Sequence, residues 1–152
     1  VEWALDRLAA RFPGAPVALV GHSMGGRAAV YAAGHPAVQA VVGLAPWIEQ
    51  GDPHAQLAGR DLLVAHGEHD RITSATESAA WTQRARTVAA SASFVSIHGD
   101  RHAMLRRASL WHSLGTSYVL AVLCGVPPDE ADDSPAAAVI SKVLVGQATL
   151  VV

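Results

Sequence analysis

Residues 17–30 read VALVGHSMGGRAAV, and this stretch carries the strongest prediction of the fold. Four apolar residues end at Gly21, a His-Ser pair follows, and two glycines lead into an alanine-rich segment. An apolar run followed at once by a helix-like segment is typical of a strand that turns directly into a helix. Ser23 lies in the turn with a glycine two residues away on each side, which predicts a serine held on a tight backbone turn with its hydroxyl exposed. The alternative is a glycine-rich turn in which Ser23 only caps the helix.

The same alternation of apolar runs and helix-like segments continues along the chain. The predicted strands are Val17–Val20, Val38–Leu44, Asp61–Ala65 and Phe94–Ile97. The predicted helices cover residues 2–12, 25–34, 74–90 and 103–124. Near-continuous apolar strands between helices predict an α/β fold in which a parallel sheet has helices on both faces.

The chain is expected to form one domain followed by a linker and a tail. Its 152 residues are the length of a single domain, and 51% hydrophobic residues with a formal net charge of −2 are typical of a folded globular protein. We predict that residues 1–125 form the core and that the acidic, proline-containing residues 126–135 form a linker. Residues 136–152 are then an apolar C-terminal tail.

Composition also limits the partners and the location of the protein. No run of basic residues is dense enough to indicate a nucleic-acid surface. The apolar tail is too short and too interrupted to predict a membrane span. The chain opens without a basic segment followed by an apolar one, so we expect no secretory signal and a cytoplasmic location. The single cysteine, Cys124, cannot form an internal disulfide and is expected to be a buried apolar residue.

Polar side chains follow three of the predicted strands at the point where each strand ends. Ser23 follows the first strand, residues 66–70 (HGEHD) follow the third, and residues 98–102 (HGDRH) follow the fourth. The carboxyl ends of parallel strands meet at one edge of a sheet, so these side chains are expected to lie together. A serine, a carboxylate and a histidine in contact are the parts of a nucleophile, an orienting acid and a general base. The sequence therefore predicts a nucleophilic active site at this edge.

Three motifs, taken in this order, resemble the α/β-hydrolase family. Residues 21–26 (GHSMGG) match the family's nucleophile elbow. Residues 66–73 (HGEHDRIT) resemble the loop that carries the acid, and residues 99–105 (GDRHAML) resemble the loop that carries the histidine. The resemblance covers roughly residues 1–124 and implies the C-terminal portion of the α/β-hydrolase fold.

The resemblance implies a role for each matching residue. Ser23 would be the nucleophile, His102 the general base and then the acid, and Asp70 the partner of the imidazole. The backbone N–H of Met24 would donate one hydrogen bond to the oxyanion. The implied function is a serine hydrolase that cleaves carboxylic esters or thioesters through an acyl-enzyme on Ser23. The alternative is a catalytically impaired or truncated module of the same fold, with a binding role or none.

Rival assignments exist for the acid and for the base. Glu68 lies two residues before Asp70, at a position that varies in the family. Asp100 is too close in sequence to His102 to reach across the site and is predicted to be a turn residue. His98 ends an apolar strand and is predicted to be a partly buried histidine with a hydrogen-bond partner. If Asp70 or His102 faced away from the nucleophile, Glu68 and His98 would be the next candidates.

Other residues near the motifs are expected to have supporting roles. His22 and Trp47 are predicted to line the substrate pocket, with plain packing as the alternative for Trp47. His66 and His69 are predicted to be structural or pocket-lining residues. These histidines show no metal-binding spacing, so neither a metal nor another cofactor is predicted. Packing or surface positions on helices are predicted for Trp81, Trp111 and His112.

The segment between the second and third predicted strands limits what can cover the site. Only 16 residues separate Leu44 from Asp61, which leaves no room for the helical lid that many family members insert there. Lidless members resemble small esterases, dienelactone-hydrolase-like enzymes and carboxylesterases. By this analogy the partner is a small-molecule substrate, a short and soluble ester or thioester.

The residues before the elbow strand depart from the family's pattern. One helix stands where complete members have several strands, so the loop that supplies their second oxyanion donor has no visible source. The predicted strand at residues 17–20 would then be an apolar open edge without a charged residue. We therefore expect either that the chain is a piece of a longer hydrolase or that this edge pairs with another segment, such as residues 146–152 or a second copy. The isolated chain is expected to be either poorly soluble or self-associated.

Overall fold

The computed structural model describes residues 1–129 and 132–152 and contains one sheet with helices on both sides. Within these residues the strands are β1 (Val17–His22), β2 (Val38–Leu44), β3 (Asp61–Gly67), β4 (Ser91–Ile97) and β5 (Thr149–Val151). The helices are α1 (Glu2–Arg11), α2 (Met24–Tyr31), α3 (Ala75–Ala85), α4 (Ala108–Cys124) and α5 (Pro135–Leu144). Short 3₁₀ turns lie at Ala32–Gly34 and Ala55–Leu57.

All strands of the sheet are parallel, and their order in space is their order in the chain, β1-β2-β3-β4-β5. The predicted α/β fold with a parallel sheet is therefore confirmed. The register aligns the carboxyl ends of the first four strands: His22 pairs with Leu44, Leu44 with Ala65, and Gly67 with Ile97. The loops that follow these strands consequently emerge at one edge of the sheet, where side chains from distant parts of the sequence can meet.

The apolar core has two layers, one on each face of the sheet. Successive strand residues point to opposite faces, so Val41 lies in one layer and Val42 in the other. Helices α1, α2 and α3 contribute side chains to the first layer, which includes the fully buried Trp81. Helices α4 and α5 contribute to the second layer, which includes the fully buried Trp111. Burial on both faces explains why the strands read as near-continuous apolar runs.

Most of residues 136–152, expected to be an apolar tail, form α5 and the edge strand β5. Ser134 caps α5 by accepting a hydrogen bond from the Ala137 N–H, and α5 packs on the same face of the sheet as α4. β5 pairs with β4, with Val95 opposite Leu150, so the alternative in which residues 146–152 cover β1 is wrong. Alternating burial explains this pairing, because Leu150 enters the second core layer. Of the predicted linker, residues 130 and 131 lie outside the described residues.

Two expectations about the surface have different outcomes. Cys124 is exposed at the end of α4, so the expectation that it is buried is wrong. The helix ends there because Gly125 adopts a left-handed conformation, with φ of 65°. Among the described residues, no helix is long and apolar enough to cross a membrane.

Strand β1 forms one edge of the sheet, and its outer hydrogen-bonding groups face away from β2. Val20 on this edge is 54% exposed. We expect the isolated chain to self-associate through β1, because an uncharged apolar edge invites pairing with another strand. Val20→Lys should shift the chain toward monomer in size-exclusion chromatography with light scattering. Val145→Lys, which adds the same charge at an exposed site away from this edge, serves as the control, and a monodisperse wild-type monomer would contradict the expectation.

Candidate active site

Ser23 occupies the turn between β1 and α2 in a strained backbone conformation. Its φ of 53° and ψ of −119° lie in a region that residues with a Cβ seldom adopt. Such a residue costs of order 1–3 kcal/mol and persists only when its surroundings hold it. Here the Ser23 N–H donates to the Leu44 carbonyl at 3.1 Å, and the Trp47 N–H donates to the Ser23 carbonyl at 3.0 Å. The end of β2 therefore holds the turn in place.

The close backbone contacts of this turn require glycine at positions 21 and 26. The motif predicts instead that Gly21 and Gly25, two residues from Ser23 on each side, are the essential glycines. A Cβ on Gly21 would lie 2.3 Å from the Gly25 backbone, and one on Gly26 would lie 2.7 Å from the Pro46 Cβ. A Cβ on Gly25 would meet no atom within 4 Å. The turn thus requires Gly21 and Gly26, whereas Gly25 matters through its backbone.

We expect Gly21→Ala to lower the free energy of unfolding by about 3 kcal/mol and to disrupt the turn, because backbone cannot move aside as a flexible side chain can. Gly25→Ala is the matched control and should be neutral or stabilising by up to about 1 kcal/mol, since alanine is the better helix former. Urea unfolding of both variants measures these changes. A larger loss in Gly25→Ala would show that the turn is held differently.

The structure brings Ser23, His102 and Asp70 into one hydrogen-bonded chain. The His102 Nε2 lies 3.1 Å from the Ser23 Oγ, and the His102 Nδ1 lies 2.8 Å from the Asp70 Oδ2. Each residue comes from a different strand end: Ser23 follows β1, Asp70 follows β3 and His102 follows β4. With Nδ1 protonated toward the carboxylate, the free Nε2 lone pair faces the serine hydroxyl and can accept its proton.

Asp70 is held by donors on both carboxylate oxygens. Its Oδ1 accepts hydrogen bonds from the backbone N–H groups of Ile72 at 2.8 Å and Thr73 at 3.0 Å. Its Oδ2 accepts from the Thr73 hydroxyl at 2.9 Å as well as from His102. Burial alone would raise the pKa of Asp70, but these donors outweigh it and hold the pKa below the usual value of an aspartate. The carboxylate therefore remains charged beside the imidazole.

The rival acid and base contact each other instead of Ser23. The His98 Nδ1 lies 2.7 Å from the Glu68 Oε2, and the Gly99 N–H also donates to that oxygen at 3.1 Å. Both side chains are largely exposed, as is His69. Hydrogen bonding to the Gly99 N–H, above all, lowers the pKa of Glu68. Within the described residues, no group of histidine, cysteine or acidic side chains could hold a metal ion.

Asp100 anchors the helix that follows the histidine loop. Its Oδ2 accepts a hydrogen bond from the Trp111 indole N–H at 2.7 Å, and its Oδ1 accepts from the Arg101 N–H at the same distance. Both Asp100 and Trp111 are buried. Asp100 is thus a turn residue with a second, long-range role, since it ties the loop that carries His102 to α4.

The two residues predicted to line the pocket, His22 and Trp47, both lie next to Ser23: His22 precedes it in the chain, and the Trp47 N–H donates to its carbonyl. The His22 ring centroid is 4.7 Å from that of His102, and its Nε2 is 2.9 Å from the His102 carbonyl oxygen. Trp47 is 45% exposed, and the Arg27 guanidinium lies 5.0 Å from its ring centroid. Met24 is the first residue of α2, so its N–H has no acceptor within the helix.

Arg27 is itself fixed by a buried carboxylate. It donates to Asp52 at 2.7 Å and to the exposed Glu49 at 3.1 Å, and the Tyr31 hydroxyl donates to the same Asp52 oxygen. These contacts attach the loop that carries Trp47 to α2. Burial alone would raise the pKa of Asp52, but the Glu49 N–H, Tyr31 and Arg27 outweigh it and lower the pKa.

The lowered pKa of Asp52 predicts a pH dependence of stability. Its contribution is present above the pKa in the unfolded chain, about 4, and is lost as pH falls through the lower pKa of the folded chain. Urea unfolding between about pH 6 and pH 2.5 should therefore show a smaller acid-induced loss in Asp52→Asn than in wild type. The control is Glu49→Gln, an exposed partner of the same arginine. An Asp52→Asn curve parallel to that of wild type would contradict the prediction.

Sequence reasoning assigned no role in the site to Thr73, Arg27 or Asp52. Ser74 caps α3, and the Thr73 hydroxyl contacts Asp70. The spacing did hold a signal, because an aspartate commonly accepts N–H groups two and three residues further on. The Arg27–Asp52 contact joins residues far apart in the chain and leaves no local pattern.

Comparisons with known proteins found one family model and a similar solved structure. The family model described as serine aminopeptidase, S33 (Hydrolase_4) matches residues 1–60. A solved structure, the esterase domain of a Rhodothermus marinus protein, aligns with a TM-score of 0.57 and 25% sequence identity. That alignment covers 74% of this chain and 63% of the esterase domain, so the chain spans less than two thirds of its length. A search of curated proteins gave no match.

The parallel α/β fold, the family-model match over residues 1–60 and the likeness to the esterase domain are consistent with the α/β-hydrolase family. They support a hydrolase.

Proposed function

We propose that the protein is a serine hydrolase that cleaves carboxylic esters or thioesters through an acyl-enzyme on Ser23. The observation that carries the proposal is the hydrogen-bonded chain from the Ser23 Oγ through the His102 ring to Asp70, with contacts of 3.1 and 2.8 Å. Hydrogen bonds that link a serine, a histidine and an aspartate in this order activate the serine hydroxyl, which is otherwise a weak nucleophile.

The proposed reaction has two halves. In the first, the His102 Nε2 takes the Ser23 hydroxyl proton while Oγ attacks the acyl carbon, and the same nitrogen then protonates the departing alcohol or thiol. In the second, a water molecule gives a proton to Nε2 and attacks the acyl-enzyme. Nε2 then passes this proton to the departing Ser23 Oγ, which releases the acid and restores the serine hydroxyl. The Asp70 carboxylate stabilises the imidazolium in both halves, and the Met24 N–H donates to the oxyanion.

The surroundings of the elbow support a small substrate. The loop between β2 and β3 contains no helix longer than a single 3₁₀ turn, so it forms no lid. An apolar groove of about 330 Å³ runs between β1 and α4. Val20 and Leu44 line this groove, and Leu44 also accepts a hydrogen bond from the Ser23 N–H through its backbone carbonyl, so the groove and the Ser23 turn share one residue. We assign the groove to a short apolar acyl group, and His22 and Trp47 to the rim of the site.

A fluorophosphonate probe tests the nucleophile directly. We expect wild type to form one covalent adduct, located on Ser23 by mass spectrometry, and Ser23→Ala to form none. Ser113→Ala, which removes an exposed hydroxyl on α4, should be labelled like wild type. Absence of labelling in the folded wild-type protein would contradict the proposal.

A second candidate function is a module that binds an ester but turns it over poorly. It is favoured by the assignment of a single oxyanion donor, Met24, because one missing donor typically costs about 10²–10³ in rate. Turnover of p-nitrophenyl acetate, butyrate and octanoate separates the two candidates. Labelling of Ser23 with turnover near the uncatalysed rate would favour the binding module, and preference for butyrate over octanoate would favour the short-chain esterase.

A further inference from the structure

His66 is a buried histidine that the proposed reaction does not use. It lies near the end of β3 with its side chain fully buried, and its Nε2 lies 3.1 Å from the Asp70 Oδ2 and 3.2 Å from the Thr73 hydroxyl. Its other ring nitrogen, Nδ1, is buried and has no hydrogen-bond partner among the described residues. Burial lowers the pKa of His66 and outweighs the attraction of Asp70, so the ring is neutral.

These contacts decide which nitrogen carries the proton. A proton on Nε2 lies within reach of two acceptors, the Thr73 hydroxyl oxygen at 3.2 Å and the Asp70 Oδ2 at 3.1 Å, and leaves only a lone pair without a partner at Nδ1. A proton on Nδ1 would leave a buried donor without an acceptor and would place the Nε2 lone pair against the charged Asp70 oxygen, which is unfavourable on both counts. His66 is therefore a hydrogen-bond donor through Nε2.

We propose that His66 is a positioning residue that donates a hydrogen bond from its Nε2 to the Asp70 Oδ2 and thereby holds this carboxylate oxygen against His102. The inference deepens the proposed function and rests on it, because it assigns a task to Asp70 in the same site. The Asp70 Oδ1 is already held by two backbone N–H groups. His66 acts on Oδ2, the oxygen that contacts the His102 Nδ1.

The donor also changes the charge that His102 experiences. A hydrogen bond to Oδ2 disperses the negative charge of Asp70, which makes the carboxylate a weaker stabiliser of the His102 imidazolium. Removal of the donor should then strengthen proton binding by His102, and the acid limb of the kcat/KM profile should move to higher pH. A neutral His66 avoids the repulsion that a second cation would exert on the imidazolium formed during the reaction.

Three substitutions at His66 distinguish the effect of its Nε2 hydrogen-bond donor from the effect of the volume of its ring. His66→Gln places an amide nitrogen at the position of Nε2, His66→Asn places it one bond short, and His66→Leu removes it. Against p-nitrophenyl butyrate, we expect His66→Asn and His66→Leu to lose about tenfold to a hundredfold in kcat, the value of a hydrogen bond to a charged group. Their acid limbs should rise by about half a pH unit to one unit. His66→Gln should keep most of the wild-type kcat, and its acid limb should lie close to that of wild type.

The outcomes are distinguishable from a failure of the proposed function. Fluorophosphonate labelling of wild type shows whether Ser23 is reactive, without reference to His66. If Ser23 is reactive and His66→Asn matches His66→Gln in kcat and in acid limb, the inference is overturned. A merely structural role would lower the yield of folded protein without moving the acid limb.

A second measurement needs no variant and no turnover. In ¹⁵N-histidine-labelled wild type, we expect the His66 resonances to show a protonated Nε2 and a bare Nδ1 at neutral pH. This result supports the inference even if the His66 variants fold poorly. The opposite tautomer, or a cationic ring, overturns it.

Discussion

His102→Ala is expected to lower kcat/KM for p-nitrophenyl butyrate by about 10⁴-fold to 10⁶-fold, the loss seen when the base of a serine triad is removed. The His102 Nε2 is the ring nitrogen that the structure places 3.1 Å from the Ser23 Oγ. Without it, the serine proton must go to water, and the leaving group loses its acid. Steady-state kinetics at one pH are sufficient to measure a loss of this size.

Two neighbouring histidines provide matched controls. His98→Ala should leave kcat/KM within about twofold of wild type, since this exposed ring pairs with Glu68 away from the nucleophile. His22→Ala should change KM or lower the rate by about tenfold, because it removes a contact with the His102 backbone while the base remains. Equal losses in His22→Ala and His102→Ala would mean that the base is misassigned.

Asp70→Asn is expected to reduce kcat by about 10⁴-fold, as the same change does in other Ser-His-Asp enzymes. The Asp70 Oδ2 lies 2.8 Å from the His102 Nδ1 and fixes the proton there. An asparagine can present its NH₂ group to Nδ1, and the imidazole proton then moves to Nε2, where it faces Ser23. The Ser23 hydroxyl would then face the N–H of Nε2, although the reaction requires an unprotonated Nε2 that can accept the hydroxyl proton.

The matched control for the acid is Glu68→Gln, the same change of carboxylate to amide two residues earlier. Glu68 contacts His98 and the Gly99 N–H, so its loss should change kcat less than about twofold. Thermal unfolding of both variants separates a loss of activity from a loss of fold. A larger effect in Glu68→Gln than in Asp70→Asn would transfer the role of the acid to Glu68.

The parallel sheet could be predicted because its strands are apolar on both faces and each ends in a turn with a clear local signal. The strand ends indicated the segments that contain Ser23, Asp70 and His102, and the resemblance to the family's motifs selected these residues within them. β5 could not be predicted, because its three residues are too few for a pattern and it depends on contact with β4. The start of α4 was placed too early: Met104 adopts a positive φ of 58°, and the helix begins at Ala108.

Side-chain contacts within the site were harder to predict than the site itself. Thr73 contacts Asp70 because the turn after β3 folds back on the carboxylate, and His66 reaches the same oxygen from the strand beneath. Asp100 meets Trp111 only once α4 has packed on the sheet. Each contact depends on the three-dimensional path of a loop, which the periodicity of the sequence does not encode.

The sheet order has a consequence for how the chain folds during synthesis. Each strand pairs with the strand made just before it, so the sheet can grow from β1 to β5 as the chain leaves the ribosome. The hydrogen bonds that hold Ser23 in its strained conformation involve the Leu44 carbonyl and the Trp47 N–H, and both residues are made early. His102 is made later, and β4 acquires its outer neighbour only with β5. We therefore expect the serine turn to form well before His102 reaches it, so that the Ser23 hydroxyl lacks its imidazole partner until β4 has paired with β3.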